Sequence, residues 1–299
     1  MATTITGNWG DGLDPATKEI FLSHFVLGWG SLGDPRPLFT LKPGDTLTDQ
    51  VVGYNPPSQY TSKTGQGNDI VLKEITQGHL VTATQTEFEN GFAVSSLMRR
   101  FIDPAAVARF FGQMGEAAAQ KFVAQMWSIF TGGFTDIGPE GGSITVFDDA
   151  HTTAAGTWDN LLASSLDDAA LSTARALLKR IPTEDGMVGR VVDGEYLIVR
   201  PEDETVGRQL MGSEVTSDQM QTNTHKGSLQ LRVTSHIASG TSNWFLAAGA
   251  MNNHLDLLLA KGSSPEMRVD ANSKSLVMDD TIIFTTRLNG SQGLVGSTF

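Results

Sequence analysis

The clearest pattern in the chain is a run of apolar positions with helical spacing between residues 103 and 131. Val107, Phe110, Phe111, Met114, Ala118, Phe122, Val123, Met126, Trp127 and Phe130 recur every three or four positions, as one face of a helix requires. Asp103 offers an N-cap and Pro104 occupies the first helical position, while Gly132-Gly133 stops the run. Gly112 and Gly115 interrupt this face and predict either weakening or a close contact. Upstream the pattern is different. Residues 1–60 are punctuated by Pro15, Pro35, Pro37, Pro43, Pro56 and Pro57 and read as irregular, apart from one amphipathic helix from Pro15 to Leu27. Trp9, Phe21, Phe25 and Trp29 in this stretch argue against a disordered tail and for an arm that packs on something else.

Residues 68–94 read as a β-hairpin. Asp69–Ile75 forms one strand, Thr76-Gln77-Gly78 supplies the turn, and the β-branched run His79–Thr86 returns. An isolated two-stranded unit is marginal in water, so it needs another surface. Downstream, Ser165 with Asp168 three residues on has the spacing of a helix start. Leu171, Ala174, Leu177 and Leu178 line that helix, and Arg175, Lys179 and Arg180 complement its C-terminal dipole. Gly194–Val199 reads as a strand, and Pro201-Glu202-Asp203-Glu204 opens a helix running through Val206, Leu210 and Met211. Further strands are expected at Leu229–Ile237, Trp244–Ala248, His254–Leu259 and Thr281–Leu288. This order of strands and helices predicts a mixed α+β fold.

Composition narrows the function. Charged residues make up 18% of the chain, below the usual quarter, and 32 glycines occupy part of the gap, which suits strands, loops and wide polar contact surfaces. A net charge of −12 disfavours condensation onto a phosphate backbone, and Met98-Arg99-Arg100 is the densest basic cluster. With no cysteine, disulfides, thiolate catalysis and cysteine zinc sites are excluded. No signal peptide pattern opens the sequence and no window has the apolar length of a membrane span, so no membrane partner is expected.

Candidate chemistry is sparse. No nucleophile elbow, phosphate loop, metalloprotease helix or dinucleotide fingerprint occurs, and Gly65-Gln66-Gly67 is read as a loop. His24, His79, His151, His225, His236 and His254 lack the three-to-five spacing of helical metal ligands. Asp148-Asp149 and Asp279-Asp280 are read as solvated turn residues, and Glu202-Asp203-Glu204 as acids at a helix N-terminus. The expectation is therefore no catalytic, cofactor-binding or metal site, no cofactor, and no enzyme.

Three passages carry a family resemblance. Phe88-Glu89-Asn90-Gly91-Phe92-Ala93-Val94, followed by Met98 to Ile102, precedes the long helix. Tyr196-Leu197-Ile198-Val199-Arg200-Pro201 feeds Val206 to Ser213. Leu229 to Ile237 with Trp244-Phe245-Leu246-Ala247-Ala248, then Pro265-Glu266 and Arg287 near Gly290, close the chain. This order resembles the major capsid proteins of tailed bacteriophages, with the Hong Kong 97 fold, and most the Mu-type major head subunit. The resemblance implies an N-terminal arm over 1–60 and an extended β-hairpin loop over 61–95. It implies a peripheral domain over 96–150 and 266–299 containing a spine helix at 103–131, and an axial domain over 151–265. It further implies self-assembly into pentamers and hexamers of an icosahedral shell around the phage genome. The expected partners are then other copies of the chain, portal and scaffold, with room for a decoration protein and only weak non-specific contact with packaged DNA. The expected location is the virion capsid, assembled in the host cytoplasm. Relatives often carry a cleaved N-terminal scaffold segment. The start at Met1 leads to the expectation of a separate scaffold or no such cleavage. The competing readings are an encapsulin-like nanocompartment shell, a tail-tube or other virion protein, and an enzyme with a dispersed site.

Overall fold

The computed structural model describes residues 34–55, 76–95, 104–153, 156–182, 191–212, 223–260, 266–271 and 275–298, together with Ser23, His24 and Leu27. Its centre is the predicted long helix, α1 (Pro104–Gly132), of 29 residues and so about 43 Å long. Phe111, Met114, Ala118, Ala119, Phe122, Val123, Met126, Trp127 and Phe130 are buried along it. Phe110, expected on this face, is instead 39% exposed. Gly112 marks a close contact: a Cβ there would lie 3.1 Å from the His24 ring.

Two sheets pack on α1. The second in chain order follows the pattern of strands covered on both faces, which read as continuous apolar runs. It has the order β7 (Leu161–Leu162), β14 (Leu294–Ser297), β10 (Trp244–Ala247), β8 (Tyr196–Val199), β9 (Gln230–Val233). Every residue of β8, β10 and β14 is buried. Strand alternation divides these residues between two cores. Tyr196, Ile198, Phe245, Ala247 and Leu294 join the α1 core. Leu197, Val199, Trp244, Leu246 and Val295 pack with Leu171, Ala174 and Leu178 of α2 (Asp168–Arg180). The α2 cap is Asp167, whose side chain accepts from the Ala170 amide at 2.6 Å, rather than Ser165. Pro201–Asp203 forms a single 3-10 turn before α3 (Glu204–Gly212). β14 was not foreseen. It lies close against its neighbour because Gly296 leaves room for the Phe147 ring, 2.6 Å from where a Cβ would sit.

The first sheet has β13 (Ser275–Leu288) as its axis. One edge of β13 pairs with β4 (Thr86–Ser95) from Phe284↔Thr86 to Ser275↔Ser95. The other edge pairs first with β12 (Glu266–Ala271) and then with β11 (Leu255–Ala260), which is joined in parallel by β1 (Thr40–Gly44). Leu255, Leu257, Ile282 and Phe284 close the α1 core from this side, and Phe284 stacks on Phe122 at 4.1 Å between centroids. Beyond the core, β4, β13 and β12 continue as a three-stranded ribbon, with Phe92 opposite Met278 and Val94 opposite Leu276.

Several expectations are corrected here. The stretch from 34 to 55 is not irregular. It holds a 3-10 turn at Arg36–Leu38 that buries Leu38, then β1, then β2 (Thr48–Asn55). Pro43 is tolerated because β1 is an edge strand. Thr76-Gln77-Gly78 is not a turn but the start of β3 (Thr76–Thr84), whose antiparallel partner is β2. The glycine sits in a strand and its turn signal is overridden by cross-strand pairing. Asp279-Asp280 lies within β13, opposite Gly91 and Asn90, and is not a turn. The Asp69–Ile75 strand, most of the Pro15–Leu27 helix, Gly65-Gln66-Gly67 and Met98-Arg99-Arg100 lie outside the described residues, although Ser23, His24 and Leu27 are helical.

Candidate assembly surfaces

β3 and β4 are one extended run that bends at Gln85 and changes sheets there: β3 pairs with β2, while β4 pairs with β13. The bend is anchored by polar contacts. The Gln85 amide donates to the Leu47 carbonyl at 2.8 Å. Arg287, buried at 3% exposure, donates from Nη1 to Asp49 Oδ2 on β2 at 2.6 Å and from Nη2 to Asp256 Oδ2 on β11 at 2.7 Å. The same Asp256 oxygen accepts from Lys42 Nζ at 2.7 Å and from Asn289 Nδ2 at 2.6 Å. His79 Nε2 lies 2.8 Å from the Asn289 carbonyl. Burial works to raise the Asp256 carboxyl's pKa, but the hydrogen bonds from Lys42, Arg287 and Asn289 outweigh it and hold it below the ordinary range. The carboxylate is thus kept ionised, and charge-assisted hydrogen bonds tie four strands together. Gly44 leaves space for the Gln85 side chain: an added Cβ would lie 2.0 Å from Gln85 Nε2. Both side-chain amide atoms of Gln85, Nε2 and Oε1, are buried without a hydrogen-bond partner, in contrast to its bonded backbone amide.

From this root the β2–β3 ribbon leads away with little apolar cover. Leu47 and Leu80 are 73% and 49% exposed, and Leu41 on the edge strand β1 is 64% exposed. Ala83 is the one large or small apolar residue of β3 that is buried among those described. The junction is therefore held mainly by the polar latch, in contrast to the aromatic core.

Other polar clusters bring titratable side chains together. His225 Nε2 is 3.0 Å from Ser172 Oγ, with Asp168 Oδ1 3.6 Å away, a trio of residue types that catalyses acyl transfer when correctly arranged. The arrangement is wrong for that task. His225 Nδ1 faces Arg175 Nη1 at 3.1 Å. A guanidinium only donates, so Nδ1 carries the lone pair and Nε2 carries the proton. Nε2 then donates to Ser172 and has no lone pair with which to take its proton. The acid also lies on the serine side of the ring and does not orient the far nitrogen. This cluster instead pins the 223–228 turn to α2, with Arg175 bound in turn to Asp193. Burial works to raise the Asp193 carboxyl, and the Arg175 charge beside it brings it below the usual range.

His151, in the short hairpin of β5 (His151–Thr153) and β6 (Gly156–Trp158), is fully buried, stacked on Trp158 at 4.2 Å and 3.0 Å from Asn160 Oδ1. Asn160 also donates to the Val146 carbonyl and its own carbonyl accepts from Gly296, so this group fastens the segment after α1 to β14. Asp148 caps its own bend. The Thr145 amide first, and then the Ala150 amide, lower its pKa by hydrogen bonding. His24 meets Glu116 at 3.3 Å. Burial pushes His236 below its ordinary pKa. No group of three His, Asp or Glu residues that could hold a metal ion occurs among the described residues. No described helix is long and apolar enough to cross a membrane. The Asp49–Arg287–Asp256–Lys42 latch was missed from sequence, because its members lie on four separate strands. A buried arginine at the end of an apolar strand was the available signal.

Residues 80–287 match the family model described as phage capsid protein. The fold is similar to a structure from Mycobacterium phage Patience, at 12% identity and TM-score 0.59, over 97% of this chain and 89% of that one. It is also similar to the capsid structure of the cyanophage P-SCSP1u, at 10% identity and TM-score 0.56, over 87% and 86%. A virus-like particle from Pyrococcus furiosus shares the fold at 11% identity and TM-score 0.52, over 93% and 98%. Among curated proteins, none matches by sequence. The matched stretch begins in β3 beside the root of the ribbon, ends at the latch arginine, and spans more than half of the sequence; the chain belongs to the phage capsid protein family.

Proposed function

We propose that this chain is the major capsid subunit of a tailed phage and self-assembles into the pentamers and hexamers of an icosahedral shell around the genome. The observation that carries this reading is the β2–β3 ribbon. It is a two-stranded sheet with Leu80 exposed on β3 and Leu47 exposed in the bend leading into β2, tied to the body by a polar latch, and alone it has too little apolar cover to be stable. Neighbouring copies supply the missing cover, and many weak contacts per subunit make a closed shell cooperative. A net charge of −12 over the whole chain disfavours strong adhesion to packaged DNA.

The finer reading is the Hong Kong 97 arrangement, most like the Mu-type head subunit. In it α1 is the spine helix of a peripheral domain formed by 96–150 and 266–299, and 151–265 is the axial domain. The described strands support moving the extended loop to the β2–β3 region and shortening the arm to the residues before Arg36. The family is one of structural proteins, and the reading assigns this chain no catalytic role. Portal and scaffold are its proposed further partners, and a decoration protein is compatible with it. An encapsulin-like compartment is the second reading, favoured by the fold shared with the virus-like particle. Negative-stain electron microscopy of the purified protein tests the assignment. Closed shells are expected. Tubes or stacked rings would point to a tail protein, and a protein that stays monomeric at high concentration would sink the shell reading. Shells recovered from the native source should hold DNA; a protein cargo would favour the compartment.

A further inference from the structure

Asn289-Gly290 is one of two Asn-Gly pairs in the sequence; the other is Asn90-Gly91. This dipeptide is chemically labile, because glycine has no side chain to shield its nitrogen from the carboxamide before it. Geometry separates the two pairs. Asn90 and Gly91 lie inside β4, laddered to Asp280 and Asp279 of β13. An extended backbone carries the next nitrogen away from the asparagine side chain, so this pair is inert while the strand holds. Asn289 instead follows the end of β13, where the chain bends. Its Oδ1 is buried without a hydrogen-bond partner, and the buried Gly290 amide has none among the described residues. What holds the pair is the latch and its neighbours. Asn289 Nδ2 donates to Asp256 Oδ2 at 2.6 Å. The Asn289 amide donates to the His254 carbonyl at 2.9 Å, and the Asn289 carbonyl accepts from His79 Nε2 at 2.8 Å.

We propose that Asn289-Gly290 is a self-modification site gated by the latch, at which Asn289 loses its side-chain amide once the latch opens. The Gly290 nitrogen bonds to Asn289 Cγ, the Cγ–Nδ2 bond breaks, and the amide leaves as ammonia with the Gly290 proton. Water then opens the cyclic imide at either carbonyl, leaving aspartate or its β-linked isomer. No other reactant is needed. The closed latch opposes the first step, since the leaving nitrogen and the backbone on both sides of Cα are fastened. The product opposes reclosure. A carboxylate at 289 faces the ionised Asp256 where an amide had donated to it, and like charges in contact repel. The β-linked form also displaces the carbonyl that His79 binds. A lasting opening of the ribbon root is thereby made permanent. This holds whether or not the chain assembles.

Peptide mass spectrometry of the protein incubated in mildly alkaline buffer reads the site directly, with position 90 as internal control. Unfolded in urea, the chain should convert at both positions at similar rates. The folded wild type should convert far more slowly at both. In Arg287→Ala, conversion at 289 should rise about tenfold or more over the wild type while 90 stays unchanged, because the reaction follows the population of the open form. A joint rise at both positions would mean that this variant unfolds, and Asp49→Asn then decides. There, conversion at 289 should be about twice that of the wild type or more, with 90 again unchanged. Conversion at 289 no faster than wild type in the deciding variant, or as fast in the folded wild type as in urea, would overturn the proposal. Asn289→Asp, which carries the product side chain, should unfold at a lower urea concentration than the wild type. An unchanged midpoint would overturn the claim that the product opposes reclosure.

Discussion

The α1 core and the β2–β3 ribbon are built on opposite principles. Around α1, aromatic residues from both sheets interlock: Phe284 on Phe122, Phe130 against Phe245, Phe147 against Phe134 and Phe245. Burial of apolar area holds this region, and it needs no second molecule. At the ribbon, one arginine, one lysine and two carboxylates hold the joint, while leucines remain in water. A protein with both regions can keep a rigid body while leaving its peripheral contacts to be completed by neighbours.

The contrast can be broken most strongly from the core side. Phe284→Ala should cost about 3–5 kcal/mol, because it removes a fully buried ring from between Phe122 and Phe88, and denaturant unfolding should show the whole body losing stability. Arg287→Ala comes next. It leaves Asp256 buried beside only Lys42 and Asn289, with an expected cost of about 3 kcal/mol, and hydrogen exchange of assembled particles should accelerate first in β2 and β3. An Asp167→Ala substitution should cost about 1 kcal/mol, confined to α2, through loss of its N-cap. Acid should reveal the latch. Folding lowers the Asp256 pKa, so its stabilisation is complete above the unfolded value near 3.8 and is lost as pH falls through the lower folded value. Below about pH 4 the amides of β2 and β3 in assembled particles should lose protection before those of α1. Uniform loss across both regions would show that the latch has no separate role. Asp49→Asn should have the smallest effect, under about 1 kcal/mol, since that carboxylate is 39% exposed.

The core was legible because its signals are local. Asp103, Pro104, the three-four spacing and Gly132 delimit α1 almost to the residue, and the apolar runs at 196–199 and 244–247 announce strands buried on both faces. The ribbon was legible only in kind. A strand that borrows its cover from elsewhere need not alternate cleanly, so Gly78 reads as a turn; the strand expected at His79–Thr86 overlaps β3, but its partner is β2, about twenty residues before the Asp69–Ile75 stretch that the sequence suggests. Pro43 hid β1 because an edge strand in a parallel pair can dispense with an amide. Asp279-Asp280 hid the first half of β13, because two adjacent acids read as a turn even though the apolar Leu276-Val277-Met278 precede them in the same strand. The latch as a set was hidden, since no sequence spacing relates Lys42, Asp49, Asp256 and Arg287, and only Arg287 at the end of an apolar strand gave a signal. What escapes a reading of the sequence here is largely what depends on distant partners.

The central claim is that the ribbon is completed by other copies of the chain. Hydrogen–deuterium exchange of residues 48–55 and 76–84, compared between isolated subunits and assembled particles, addresses it directly. The account predicts rapid exchange in the subunit and strong protection in the particle, with α1 protected in both. Equal protection of the ribbon in the two states would contradict it.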